Sequence, residues 1–451
     1  MDARRGSYSS VPTAHVARAG VLDSLAMLAD VALPTLAKGI IVRRPHMVGL
    51  AERLGTDGRA VRRLQKLRAR YGPGPLIFPV PGRPQAVILD PDQVRPILAA
   101  APDPFSPATM EKASVLGHFE KNVSLISYPP ERAARRRFNA IVLEEGCPVH
   151  STAARLARIV EEEVDTMLAQ AGERLSWDDF ATAWYMIVRR LVLGDGARDD
   201  HTLTDMLADL RYASNWGFTH PGYPRLERRF HERLGAHIER AEPGSIAERA
   251  KTCGRELDVP ATDQLAHYLF AYDPGGMTAF RTMALLATHS DAMARTRREL
   301  AEVGPGGRAR LSYLRACVVD TLRLWPTTPA IFRETLRAVE FDGGSLPRGT
   351  HVMIFAPFFH RDEETLSFAH RFAPEIWIDG AEIPDLPLVP FSDGPGICPA
   401  RDLVPMTISM AIAEILARRD IRLEQAGRLS DRRPIPPILD NYTLSFALHR
   451  R

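Results

Sequence analysis

A chain of 451 residues, 45 % of them hydrophobic, can bury a large core, and its formal net charge of +3 is the small difference between acids and bases mixed along its length. No block of Lys or Arg is suited to following a phosphate backbone, which excludes a nucleic-acid binder. Cys147, Cys253, Cys317 and Cys398 lie far apart with no C-x-x-C pair, which argues against a zinc site or disulfide framework and for free thiols in a reducing cytoplasm.

The first apolar stretch, "VLDSLAMLADVALPTLAKGIIV" at 21–42, is interrupted by Asp23, Asp30, Pro34 and Lys38. A spanning helix needs about 20 mostly apolar residues, and no basic segment with a cleavage site precedes this one. It is expected to pack on the body or rest on a membrane surface, as part of a helical lead over residues 1–70. Residues 71–451 are expected to form one domain, and the protein is expected to be soluble. "LIFPVPGRPQAVILD" (76–90) reads as two short strands joined by a Pro/Gly turn, and "DPDQVRPILAA" as a helix behind an Asp cap. Residues 150–250 read as mostly helical, broken at "GDGARDD" and "FTHPGYP". One long apolar helical pattern runs from Val259 to about Ser290. Residues 335–356 alternate as strands around "DGGSLPRG", a helix follows Cys398, and "YTLSFAL" closes the chain as a strand. Helices dominate and the strands are short and local, so the fold class is mainly α with small β-sheets, α+β.

Cys398 lies in "FSDGPGICPARDLVPM" (391–406). With Pro399 at the first helical position, the cysteine is expected at the cap of the helix that follows. Free N–H groups and a positive partial charge there stabilise a thiolate. Three roles compete: a buried core cysteine, a nucleophile for which no His partner is signalled, and an axial thiolate for haem iron.

Phe391, Gly394 and Cys398 match F-x-x-G-x-R-x-C-x-G, the haem loop of the cytochrome P-450 family, with Gly396 in place of its Arg and Ala400 in place of its last Gly. "DTLRLWPTTP" is similar to the family's E-x-x-R helix, with Asp320 for Glu and Arg323 kept; three apart, the two share a helix face and can pair. "RFAPEIWI" resembles F-x-P-E-R-W, with Ile376 replacing the Arg. "YPPERAARRRF" resembles D-P-P-E-H-x-x-x-R, with Tyr128 for the Asp, Arg132 where His is usual and Arg136 on the matching Arg. Arg333 in "TPAIFRETLRAV" matches the arginine that follows the E-x-x-R helix.

The resemblance runs over most of the chain. It implies the P-450 fold, with haem b (iron protoporphyrin IX) between a long distal helix and the Cys loop and last helix, and with Cys398 as axial ligand of the iron. Phe391, Gly394, Gly396 and Ala271 would line the cofactor. Arg132, Arg136 and Arg333 would meet its propionates, since buried carboxylates need partners; Arg135 and Arg137 would face solvent. On the distal helix, "LFAYDPGGMTAFRTMALLA" puts Asp273 on the family's acid and Pro274 on the Thr that helps deliver protons. Proline lacks an N–H and clashes with the carbonyl of Phe270, at a cost of ~3 kcal/mol, so a kinked helix is expected, loosened further by Gly275 and Gly276. Asp273 is then the candidate for organising proton transfer. Thr278, one turn on, would help through a water or bond back to the Pro274 carbonyl.

The implied reaction is monooxygenation of a mid-sized, largely apolar small molecule, fed by a separate ferredoxin or flavodoxin with its reductase. A cytoplasmic protein of bacterial secondary metabolism is expected. Only Lys38, Lys66, Lys112, Lys121 and Lys251 are lysines, and this Arg bias fits a GC-rich bacterial genome. Two alternatives stay open: a haem enzyme that does not rely on dioxygen (peroxygenase, isomerase or dehydratase), and a haem-bearing partner without turnover. The peroxide-using branch of the family has Arg before this Pro to anchor a fatty-acid carboxylate. Asp273 would repel one.

Overall fold

The computed structural model describes residues 16–80, 82–341, 344–379 and 385–451. Its centre is the helix Ala261–Thr288, buried on nearly every side from Leu265 to Leu286 because its sequence is apolar all round. Among the helices packed against it are Trp177–Leu193, Ser312–Leu324 and Leu403–Arg418, and Ala153–Ala171 lies behind the first and last of these. Their Leu, Ile, Val and Phe side chains form the larger of the hydrophobic clusters.

The 76–90 hairpin is present, with Leu76 opposite Val87. It joins a five-stranded sheet in the order Leu76–Phe78, Gln85–Val87, His351–Phe355, Ala330–Thr335, Phe105–Ser106. The closing strand, Ser445–Arg450, pairs with Arg174–Ser176 and Arg419–Leu423. Strands flank "DGGSLPRG" as expected, at Val339–Phe341 and Gly344–Leu346, although Asp342 and Gly343 at the tip lie outside the described residues. The α+β class expected from the sequence holds.

The 21–42 segment is not one helix. Val21–Met27 runs through a π-helical turn, Leu28–Ala32, into Leu33–Lys38. Asp30 reaches Arg63 and Asp23 reaches Arg70, both on Thr56–Tyr71, while Leu22, Leu25 and Leu33 stay exposed. Among the described residues no helix is long and apolar enough to cross a membrane.

Pro274 does not interrupt the long helix, which stays continuous through it. The Trp184 indole donates to the Tyr272 carbonyl at 2.8 Å and lies flat against the two glycines that follow Pro274. A Cβ on Gly276 would stand 2.8 Å from that ring and one on Gly275 3.1 Å, so the glycines admit an indole and do not mark a break. A side chain from a neighbouring helix thus stabilises the turn where a kink was expected.

Asp320 and Arg323 are wholly buried, and not the exposed pair that a single i,i+3 match most often is. Arg323 Nε donates to Asp320 Oδ1 at 2.5 Å, and its other nitrogens reach the carbonyls of His360, Ala369 and Arg371. Asp320 also accepts from the Ala373 N–H at 2.7 Å and the Trp377 indole at 3.0 Å. The arginine missing at Ile376 is thereby replaced by the indole of the next residue and a backbone N–H. Breaking a buried pair costs more than the pair contributes, because one charge is stranded. Asp320→Ala should therefore destabilise the fold by ~3–5 kcal/mol, and Trp377→Phe, which removes one donor to a charged acceptor, by ~1.5–3 kcal/mol. Urea midpoints at unchanged slope check both.

Candidate functional site

The last helix begins at Leu403, not at Pro399, so Cys398 is not its cap. A turn intervenes, with Arg401 N donating to the Cys398 carbonyl at 3.3 Å and Val404 N to that of Ala400 at 3.0 Å. Proline suits a turn as well as a helix start, which is why the sequence pattern misled. The sulfur still receives a backbone N–H, from Ala400. Burial pushes the thiol up, while that hydrogen bond, Arg136 and Arg401 oppose the rise. The loop leading to it is rigidly seated. Cys398 N donates to the Phe391 carbonyl at 2.9 Å. Gly394 has φ +61°, and a Cβ there would lie 2.5 Å from the Leu98 carbonyl oxygen, so only glycine fits. Asp393 beside it pairs with Arg95.

Around this loop gather buried cations without anions. Arg333 enters from its strand so closely that its Nη2 lies 2.8 Å from where a Cβ on Gly396 would stand. The glycine in place of the expected loop arginine thus makes room for an arginine from elsewhere. Arg132 Nη2 donates to the Pro395 carbonyl at 3.3 Å. Lys112 Nζ donates to the carbonyls of Pro107 at 2.8 Å and Phe332 at 3.1 Å. None of the three has an ion pair among the described residues, and the Nε of both arginines is buried and unpartnered. Burial, with Arg132 adding to it, pushes Arg333 down to about 10. Burial, then Arg333 and Arg132, hold Lys112 well below the usual lysine range. Mutually repelling, half-satisfied cations beside Cys398 are what a dianionic cofactor such as haem would neutralise, so these residues fit the group that the sequence resemblance implies. Lys112 was missed from the sequence, although it is one of five lysines in an arginine-rich chain.

Arg136 is not with them. It pairs with Glu145 at 2.6 Å, as Arg401 does. Arg135 is not a solvated residue either, since it bonds Ser127 and the Asn122 side chain; of the pair expected to face water, only Arg137 is exposed.

On the long helix, His267, Phe270, Ala271 and Pro274 lie one turn apart on one face and, with Asp273 beside them, are only partly buried, whereas residues 275–286 are closed to water. Gly275 packs on Val404 and Ile408, which brings this face and the Cys398 turn into one region. Asp273 is gripped by Arg211 in an ion pair and by the Tyr185 hydroxyl. Burial first, and then the Asp273 charge, holds the Tyr185 phenol far above its ordinary range. The Arg211 guanidinium lies 4.9 Å from the centre of the Phe270 ring. Thr278 donates to the Pro274 carbonyl at 2.8 Å, the second of its two expected roles. Phe270 also meets Phe119 edge-on at 5.7 Å. His267 Nδ1 lies 2.7 Å from the wholly buried Glu120. Tyr185, Arg211, Glu120 and His267 had no sequence signal, because each partner lies more than 60 residues away.

Residues 271–435 match the family model described as "Cytochrome P450". Over shorter stretches the chain is 28 % identical to geraniol 8-hydroxylase of Catharanthus roseus, covering 43 % of this chain and 43 % of that one. It is 30 % identical to cytochrome P450 3A15 of Cavia porcellus, covering 35 % and 34 %. The chain thus spans less than half the length of these two curated relatives. A solved structure, retinoic-acid-bound cyanobacterial CYP120A1, superposes with a TM-score of 0.68 at 17 % identity, over 86 % of this chain and 94 % of that one, which is a likeness of fold.

Two outcomes follow from these contacts. Arg333→Ala and Arg132→Ala should lower haem content per chain after purification far more than Arg136→Ala does, which is checked by the absorbance ratio of haem to protein. Burial alone would depress His267, but the Glu120 carboxylate outweighs it and raises the imidazole above 6.5. Its contribution to stability is therefore complete below about pH 6.5 and is lost as pH rises through the higher folded value. Melting temperature should fall between pH 6 and 9 by more in the wild type than in His267→Gln; parallel curves would remove the pair from the account.

Proposed function

We propose, on the premise that this chain belongs to the cytochrome P450 family, whose members bind haem b, that it is a haem-thiolate monooxygenase acting on a mid-sized, largely apolar substrate. The observation that carries the reading is Cys398 in a glycine-fixed loop, beside the buried cations Arg132, Arg333 and Lys112 that lack carboxylate partners. Cys398 is assigned as the axial ligand, and the three cations as partners of the propionates, with Phe391, Gly394, Gly396 and Ala271 lining the group. When bound, haem supplies dioxygen activation and oxygen insertion.

The chain's own residues provide the setting. Phe270, partly buried beside Pro274 and backed by the core residue Phe119, gives that face of the helix an aromatic surface that favours apolar ligands. Asp273 is the assigned proton carrier. One of its oxygens accepts from Tyr185 and the other from Arg211, so it exchanges a proton only when one of these lets go. Electrons are assigned to a ferredoxin or flavodoxin with its reductase, and the setting to a reducing bacterial cytoplasm and secondary metabolism, in keeping with four free cysteines and the arginine bias. The helical lead over residues 1–70 is read as an appendage of one catalytic domain spanning 71–451.

A second reading is favoured by one contact. Pro274 occupies the usual alcohol position and the Thr278 hydroxyl is bonded to its carbonyl, so no alcohol there is free to donate. That suits a haem enzyme that does not rely on dioxygen, such as a peroxygenase.

Reduced protein under carbon monoxide should give the red-shifted Soret band of thiolate ligation, and Cys398→Ser should lose it. In the monooxygenase, Asp273→Asn should slow product formation by ~100-fold and raise hydrogen peroxide release, while Pro274→Thr is tolerated. Product per electron consumed, with and without a ferredoxin system, decides between the two readings, because turnover indifferent to the reductant belongs to the second.

A further inference from the structure

Two helical turns beyond Pro274, on the same face and about 10 Å along the axis, the long helix carries a guanidinium that forms no ion pair among the described residues. Arg281 is 9 % exposed. Only its Nε is bonded, donating to the Leu439 carbonyl at 3.0 Å. Its terminal nitrogens have no acceptor among the described residues, and the side chain lines a cavity together with Lys38, Arg43, Met277, Thr327 and Tyr442. Arg43 donates to the carbonyls of Gly39 and Thr327, each at 2.5 Å, and also lacks an ion pair. Lys38 is paired with Asp57. Asp440 is near, but its carboxylate accepts from the Tyr442 N–H and the Thr443 hydroxyl. Arg62 and Arg361 add positive charge to the lining and Asp57 and Glu363 negative charge, which leaves cations in excess around the cavity.

The strain is visible in the titration of the groups. Burial, with Arg43 adding to it, pushes Arg281 down to about 10, and burial also lowers Lys38. Isolated charges in such a place are costly unless something of opposite sign joins them. This cluster shares no residue with the Arg132, Arg333 and Lys112 group, so propionates placed there leave it unmatched.

The cavity wall also explains what the anion belongs to. Met277 is three residues past Pro274, and Thr327 and Pro329 stand just before the strand Ala330–Thr335 that carries Arg333 to the Cys398 loop. We propose that this cavity is the far end of the substrate pocket and receives a carboxylate of an otherwise apolar substrate, held by the terminal nitrogens of Arg281 with Arg43 beside it. Asp273, before Pro274, is already neutralised by Arg211, whereas Arg281, beyond it, has no ion pair among the described residues and attracts an acid. The molecule is therefore oriented with its apolar body at Pro274 and its acid end at Arg281. This deepens the proposed function and rests on its placing of the reaction beside Pro274.

The test titrates haem-loaded protein by calorimetry with dodecanoate, 5-phenylpentanoate, their methyl esters and inorganic phosphate. At least one acid should bind about tenfold or more tighter than its ester. Arg281→Met should abolish that preference, Arg281→Lys should keep most of it, and Arg59→Ala, exposed and outside the cavity, should keep all of it. Acids that bind no tighter than their esters, or a preference that survives Arg281→Met, would overturn the inference. So would inorganic phosphate binding as tightly as the acids, since the site would then serve a free anion. Calorimetry reads the preference independently of the carbon monoxide band. A normal band without acid preference sinks this inference alone, and a missing band sinks the proposed function whatever the titration shows.

Discussion

A carboxylate and a guanidinium, both wholly out of water, tie the proximal half of this molecule together. Asp320 and Arg323 come from one helix, yet their remaining hydrogen bonds all go elsewhere, to the backbone at His360, Ala369, Arg371 and Ala373 and to the Trp377 indole. A buried pair of this kind adds little net stability, but every partner left unmet is expensive, so it fixes one arrangement of the chain against others. The constraint reaches the Cys398 loop in two steps. His360, whose carbonyl binds Arg323, is kept neutral by burial and by Arg323 itself, down to about 3, and so can accept the Val389 N–H at 2.9 Å. Val389 leads directly into the loop, where Phe391 and Asp393 take over.

Much of this was legible in the sequence and some was not, for a consistent reason. Features set by local chemistry were readable: the helices and strands, the i,i+3 pair, the glycine demanded at 394, and the arginine after the Asp320 helix. Features set by which distant side chain fills a gap were not. The absence of Arg at 376 looked like an incomplete triad, yet Trp377 fills it. Gly396 looked like a lost cation, yet the space belongs to Arg333. Pro399 looked like a helix start, yet four residues of turn come first. Gly275 and Gly276 looked like loosening, yet they are the seat of Trp184. Each reading failed because one position was judged alone where a neighbour supplies the missing volume or donor.

Buried positive charge is the other theme. Arg132, Arg333 and Lys112 near Cys398, and Arg281 and Arg43 beyond Pro274, are held in place chiefly by backbone carbonyls. A carbonyl satisfies a donor without cancelling its charge, so the groups stay ordered and remain electrostatically short of a partner. Carboxylates close by would have stabilised the empty protein more and left less attraction for a ligand. Some stability of the free chain is thus forgone for pre-organised binding of anions.

Asp273 shows the opposite arrangement. Its charge is fully met, by Arg211 on one oxygen and Tyr185 on the other, and Arg211 is itself braced over Phe270. Burial works against the charge of Arg211, but Asp273 and Tyr185 outweigh it and keep it cationic. A carboxylate so held has both oxygens occupied by donors. Phe270, one turn before Pro274, braces Arg211 and meets Phe119 edge-on. Asp273 is thus satisfied by its own neighbours, whereas Arg333 and Arg281 keep nitrogens without an acceptor among the described residues.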